Sequence, residues 1–142
     1  MSTFQKILIG YDGSPSAKAA LSFAMGLAMD SNAKLTALWI REPLPRGSDM
    51  LSEVLAGKES NDQRFQDLCH EITEATRGQC LDVQFVCRAG NPAKTIKQYA
   101  SEGDFDLIVL GQSFRSWGRF FGDTANRIVD QAECKVLIIK AD

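Results

Sequence analysis

Apolar residues fall in short unbroken runs separated by longer amphipathic stretches. The runs are Lys6–Tyr11, Lys34–Ile40, Leu81–Cys87, Asp106–Leu110 and Lys135–Ile139. Continuous rather than alternating apolarity marks a strand covered on both faces, as in a parallel sheet. After the first run, Asp12-Gly13-Ser14-Pro15 announces a helix, with Ser14 or Ser16 placed to cap it and Pro15 suited to its first turn. Ala17, Leu21, Ala24 and Ala28 then recur at helical spacing, and Ala20, Phe23 and Leu27 widen the stripe. So many small residues predict close packing on a sheet. The segment Arg41–Lys58, with Pro43, Pro45, Gly47 and Gly57, is the least regular, and a loop with one helical turn around Met50–Leu55 is expected there. A helix follows from near Asn61 to Gly78, with Phe65, Leu68, Cys69 and Ile72 on one face. Gly90-Asn91-Pro92 turns the chain into a helix from about Ala93, with Ile96, Tyr99 and Ala100 inward, and Thr124–Ala132 forms the last helix.

Strand–helix units that end on a strand assemble through right-handed crossovers. The expected fold is therefore α/β, a single doubly wound five-stranded parallel sheet with helices on both faces. At 142 residues, 44% of them hydrophobic, residues 1–142 are expected to form one domain with a substantial core. Ligands of such sheets sit at the strands' carboxyl ends, near the point where strand order reverses.

Composition narrows the function classes. A net charge of −2 argues against a general nucleic-acid binder. No apolar run approaches the ~20 residues needed to span a bilayer, and Met1–Lys6 has no basic stretch leading into an apolar one, so no signal peptide is expected. The cytoplasm is the expected compartment. Cys69, Cys80, Cys87 and Cys134 are scattered without a Cys-x-x-Cys pair and are expected to be reduced, buried small residues.

Two strand ends carry unusual residues. Asp12 follows the first strand directly and admits two readings: a carboxylate accepting hydrogen bonds from a sugar hydroxyl or base amine, or a turn residue bonding its own backbone two residues on. Ile40, closing the second strand, either walls an apolar slot or is plain core. Beyond Leu110, the stretch Gly111 to Gly122 reads Gly-Gln-Ser-Phe-Arg-Ser-Trp-Gly-Arg-Phe-Phe-Gly. Its glycines permit close backbone approach and positive φ. Arg115 and Arg119 suit an anionic group, or else are solvated. Phe114, Trp117, Phe120 and Phe121 are too many aromatics for an ordinary exposed loop; a lid, a dimer contact and a plug of the ligand space are all compatible with them. Asp123 then opens the last helix. As its N-cap, Asp123 would accept the N–H groups that a phosphate would otherwise use, for about 1 kcal/mol of helix stability. Two like charges 4 Å apart at an effective dielectric near 20 repel by about 4 kcal/mol, which disfavours a triphosphate there unless a divalent cation bridges the charges.

Catalytic chemistry is hard to find. His70 is the only histidine and is expected in a mid-chain helix, away from both strand ends. Neither a Ser/His/Asp nor a Cys/His set, an HExxH motif, or a Gly-x-x-x-x-Gly-Lys-Ser/Thr loop is present. The expectation is a binding protein rather than an enzyme.

These pieces together resemble the universal stress protein family over essentially the whole chain. The resemblance rests on Ile7–Ser14 with its alanine-rich helix, Gly90-Asn91-Pro92-Ala93, Asp106–Gly111, and Gly122-Asp123-Thr124 leading to Cys134–Ile139. It implies a Rossmann-like fold of the adenine nucleotide alpha hydrolase type. It also implies a homodimer through the last strand, Val136, Leu137, Ile138 and Ile139, an edge that would otherwise stay unpaired. ATP-binding members show Gly-x2-Gly-x9-Gly-Ser/Thr. Here Gly111 fits the first glycine, Phe114 stands at the second, Gly122 matches the third only in a loop two residues shorter, and Asp123 replaces the hydroxyl residue, although Thr124 follows. By the same resemblance Asp12 would hold the ribose or adenine, with Ile40 and Leu110 on the base. The base half of the site is kept and the phosphate half altered, as in members that do not bind ATP. The expected function is a homodimeric stress-response factor acting through protein partners, requiring no cofactor, with weak or no ATP binding. The alternative is a regulatory switch taking ATP or AMP with Mg²⁺, Arg115 and Arg119 offsetting the lost contacts. A slow ATPase or nucleotidyl transferase ranks last.

Overall fold

The computed structural model describes residues 4–41, 51–112 and 123–140, and over 51–61 and 123–126 it describes the backbone alone. The elements are β1 (Lys6–Gly10), α1 (Pro15–Ser31), β2 (Lys34–Arg41), α2 (Leu51–Thr76), β3 (Asp82–Ala89), α3 (Pro92–Glu102), β4 (Leu107–Gly111), α4 (Asp123–Gln131) and β5 (Lys135–Ile139). They build a five-stranded sheet in the order β3-β2-β1-β4-β5, every neighbouring pair parallel. The chain starts in the middle, steps outward through β2 and β3, then returns to the other side of β1. Strand order therefore reverses between β1 and β4.

The unbroken apolar runs are explained by burial on both faces. One core joins Ile7, Ile9, Tyr11, Leu35, Ala37 and Val109 to the alanine face of α1 and to Leu68 and Ile72 of α2. The other joins Leu8, Leu38, Ile40, Ile108 and Leu110 to Ala93, Ile96 and Ala100 of α3 and Ile128 of α4. Stacking of Phe65 on Phe85, with ring centroids 4.9 Å apart, ties α2 to β3. At the amino ends of the strands, the Asp106 carboxylate accepts the Gln5 N–H at 2.8 Å and so registers β4 against β1.

Local signals fixed most boundaries. Ser14 is the N-cap of α1, its Oγ accepting the Ala17 N–H at 3.2 Å, with Pro15 in the first turn. Asn91 caps α3 in the same manner, accepting the Lys94 N–H at 3.0 Å. Four expectations need correction. First, α2 is one 26-residue helix from Leu51, not a helix resuming near Asn61; a single Gly57 costs about 1 kcal/mol, less than the strong helix formers around it return. The remainder of the irregular segment, 42–50, lies outside the described residues. Second, Phe23 is 47% exposed. It sits roughly 120° round the helix from Ala17, at 100° per residue, outside the stripe that meets the sheet. Third, no cysteine is fully buried: Cys69, Cys87 and Cys134 are half-buried and Cys80 is exposed, all as free thiols. Fourth, α4 begins at Asp123, so this residue belongs to the first turn rather than to the flanking cap position.

Candidate functional site

β1, β2 and β4 end side by side, and their carboxyl ends bring four of the expected site residues together. In the β1–β2 register Gly10 pairs with Leu38, and the ladder continues as the Tyr11 N–H donates to the Leu38 carbonyl at 2.9 Å. Asp12 follows in the turn beyond this last bond, and Ile40 lies two residues beyond Leu38 on β2. On the other side Ile9 pairs with Val109, which sets Leu110 and Gly111 level with Gly10 and Tyr11. Asp12, Ile40, Leu110 and Gly111 thus stand at or just past the carboxyl ends of β1, β2 and β4, around the point where strand order reverses, which is where open α/β sheets hold their ligands.

The four differ in what they present. Asp12 is half-buried, and its Oδ1 accepts the Ser14 N–H at 2.9 Å. That is the turn role, and it does not exhaust the residue: an ionised carboxylate has about four lone-pair sites, so a sugar hydroxyl can be accepted as well. Ile40 is buried in the α3–α4 core and Leu110 has no exposed surface. Both belong to the core beneath these strand ends. Gly111 is required by packing. A Cβ there would lie 2.5 Å from the Ser16 backbone, so β4 meets the first turn of α1 at a distance only glycine permits. This first glycine of the loop motif has a structural reason independent of any phosphate.

Asp123 and Thr124 form the start of α4, the helix that follows β4, and their side chains lie outside the described residues. Arg115 and Gly122 also lie outside them, as do Phe114, Trp117, Gly118, Arg119, Phe120 and Phe121.

Sequence reasoning missed the contribution of α2. The Tyr11 hydroxyl donates to Glu71 Oε1 at 2.8 Å, and Arg64 Nη2 donates to the Asp12 carbonyl at 2.6 Å. Gly13, at φ +81°, turns between them; a Cβ there would stand 2.7 Å from the Arg64 guanidinium. The available signal was spacing. Arg64, Leu68 and Glu71 recur at i, i+4 and i+7, so the two polar residues share a stripe with a core leucine. Burial, reinforced by the Glu71 carboxylate, pushes the Tyr11 phenol above its usual value.

Beside this contact lies a groove of about 470 Å³ between α1 and α2, lined among others by Tyr11, Leu21, Met25, His70 and Glu74. His70 is therefore nearer to the end of β1 than the sequence implies, because α2 crosses that end. It is exposed. Burial raises the Cys87 and Cys134 thiols above their usual value, which keeps them protonated and poorly nucleophilic. Among the described residues no group of His, Cys, Asp or Glu is arranged to hold a metal ion, and no helix is long and apolar enough to cross a membrane.

The model of the universal stress protein family matches residues 3–140. A Thermus aquaticus protein described as a universal stress protein in the QAH/OAS sulfhydrylase 3′ region is 31% identical over 143 residues, covering 96% of this chain and 99% of that one. The structure of the universal stress protein UspA from Lactobacillus plantarum matches with a TM-score of 0.81 at 28% identity, covering 96% of this chain and 97% of the other. A universal stress protein in complex with cAMP matches with a TM-score of 0.77 at 24% identity, over 99% and 100% of the two chains.

Proposed function

From the premise that the chain belongs to the universal stress protein family, we propose that it is a cytoplasmic, homodimeric stress-response factor that acts through protein partners and whose adenine-nucleotide site keeps its base end but not its triphosphate end. One juxtaposition supports this. Asp12, Ile40 and Gly111 stand together at the strand-order reversal, while the helix after β4 begins with an aspartate instead of a hydroxyl residue. A helix N-terminus attracts anions, and a carboxylate in its first turn uses that attraction. The triphosphate, with several charges to place, loses most. A monophosphate loses least. The related protein in complex with cAMP carries a ligand with a single phosphate, which fits the same division of the site. Binding rather than turnover is the proposed activity, since the sequence carries none of the catalytic sets or phosphate-loop motifs considered above.

Isothermal titration with ATP, AMP and cAMP, each with and without Mg²⁺, tests the reading. AMP or cAMP should bind at least as tightly as ATP, and ATP should fall short of micromolar affinity, which corresponds to about −8 kcal/mol. Asp123→Ser should improve ATP affinity by about tenfold and AMP affinity less. Micromolar ATP binding by the unaltered protein would overturn the reading in favour of a Mg²⁺-dependent nucleotide switch, in which Arg115 and Arg119 supply the phosphate contacts.

A further inference from the structure

The turn that carries Asp12 has one bond of its own, from the Ser14 N–H to Asp12 Oδ1, and further contacts from outside. It has only three residues between the end of β1 and the cap of α1, and the last of them, Gly13, is in the left-handed region at φ +81°. Glycine populates many other conformations with equal ease, so each contact that favours this one adds to the internal bond. The contacts come from α2, an element more than 50 residues away in the chain. Arg64 Nη2 donates to the Asp12 carbonyl at 2.6 Å, Glu71 Oε1 accepts the Tyr11 hydroxyl at 2.8 Å, and Leu68 stands between them, its Cδ2 3.0 Å from where a Gly13 Cβ would be. The turn is gripped at the two residues before Gly13 by one face of one helix.

The two grips differ in kind. The Tyr11–Glu71 bond fixes the end of the strand, since Tyr11 is itself buried in the core. The Arg64 bond fixes the peptide between Asp12 and Gly13, and with it the direction in which the Asp12 side chain leaves the backbone. Arg64 is exposed and contributes little to the core. Its bond to a carbonyl is charge-assisted and so stronger than a neutral one.

We propose that Arg64 is a positioning residue of the candidate ligand site: from α2 it fixes the Asp12–Gly13 peptide and thereby sets how the Asp12 carboxylate meets a ribose or base. The inference rests on the ligand reading above, and it makes the pose of α2 part of the site. Anything that shifts α2 along the sheet, including an occupant of the α1–α2 groove beside Tyr11, then changes affinity at the strand ends.

The test uses the full-length protein and the variants Arg64→Ala and Arg64→Lys, with two readouts. The first is amide exchange at Ser14, whose N–H is bonded to Asp12 Oδ1 and so reports the turn without any ligand. Arg64→Ala should speed this exchange about fivefold, and Arg64→Lys, which keeps a charged donor, should recover much of the protection. The second is affinity for AMP and for uncharged adenosine. Arg64→Ala should weaken both by a similar factor, about fivefold. Weakening of AMP alone would mean that Arg64 merely attracts the phosphate, and would overturn the proposal. Unchanged exchange would overturn it as well, as would faster exchange with unaltered affinity for both ligands. If the unaltered protein binds neither ligand, the ligand reading has failed on its own account, and Ser14 exchange alone decides whether Arg64 holds the turn.

Discussion

At the scale of single residues, Tyr11 and Gly111 do the most to shape the strand ends. Tyr11 carries a large ring into the core while its hydroxyl is committed to Glu71. Ionisation would place a phenolate beside a carboxylate in a desolvated position, so the fold raises the phenol's pKa above its ordinary value near 10. A raised folded-state pKa contributes stability that is fully present below the unfolded-state value and is lost as pH rises beyond it. Urea unfolding of the wild type should therefore show a fall in stability above about pH 10, and Tyr11→Phe should lack that part of the slope. Equal slopes in the two proteins would remove Tyr11 from the alkaline transition. At neutral pH the same variant should lose about 1 kcal/mol, the usual worth of one hydrogen bond. Gly111 makes a sterically sharper prediction. A methyl group there meets backbone, which cannot swing aside, so Gly111→Ala should destabilise by about 1–3 kcal/mol, the range for overpacked sites. Gly26 is the internal control. It lies within α1 with nothing within 4 Å of its missing Cβ, and Gly26→Ala should stabilise by about 0.5–1 kcal/mol.

At the scale of elements, the helix starts that matter are held by side chains the sequence displays openly. Ser14→Ala should cost about 1 kcal/mol in chemical denaturation, and because Ser14 directly follows the Asp12–Gly13 turn, it should also quicken exchange of the Ala17 amide it caps. An unchanged Ala17 exchange rate would deny Ser14 that role. Such signals explain why the architecture was legible. Buried parallel strands announce themselves as unbroken apolar runs, and Ser-Pro and Asn-Pro pairs mark helix starts because proline tolerates the first turn and the preceding residue caps it. What was not legible depended on competition between weak local preferences and tertiary contact. The first ten residues of α2 contain a glycine that argues for a break, and flanking helix formers outvote it. Phe23 looked inward on hydrophobicity alone, but a 100° step per residue turns it away from the sheet. The strand ends beside Asp12 and Ile40 could be located to within a residue, because a strand stops close to its last apolar residue. Arg64 and Glu71 could not: their spacing with Leu68 puts them on a core-facing stripe, but their partners are set only once α2 lies across the end of β1.

At the scale of the whole molecule, the sheet leaves two edges, β3 and β5, and they are not equivalent. β3 is the longer, pairing with β2 over eight residues, and its ends carry Asp82 and Arg88 with exposed side chains. Charges of this kind blunt an edge against further pairing. β5 carries one exposed lysine at its start and then Val136, Leu137, Ile138 and Ile139, all half-buried and divided between the two cores. An apolar edge strand without an interior charge is a surface that a second copy of the chain can complete, through main-chain hydrogen bonds along the strand and apolar contact on either side of it. Such a pairing would cover what α1 and α4, packed on the two faces of β5, leave exposed of these side chains. Sedimentation velocity over a micromolar dilution series should therefore report a dimer. Val136→Lys should shift it to monomer while circular dichroism retains the α/β signature, because a lysine brought into that contact must give up its water. A wild-type protein that sediments as a monomer throughout the series would leave β5 a bare edge and remove the homodimer from the proposed function; a dimer indifferent to Val136→Lys would place its interface elsewhere on the molecule.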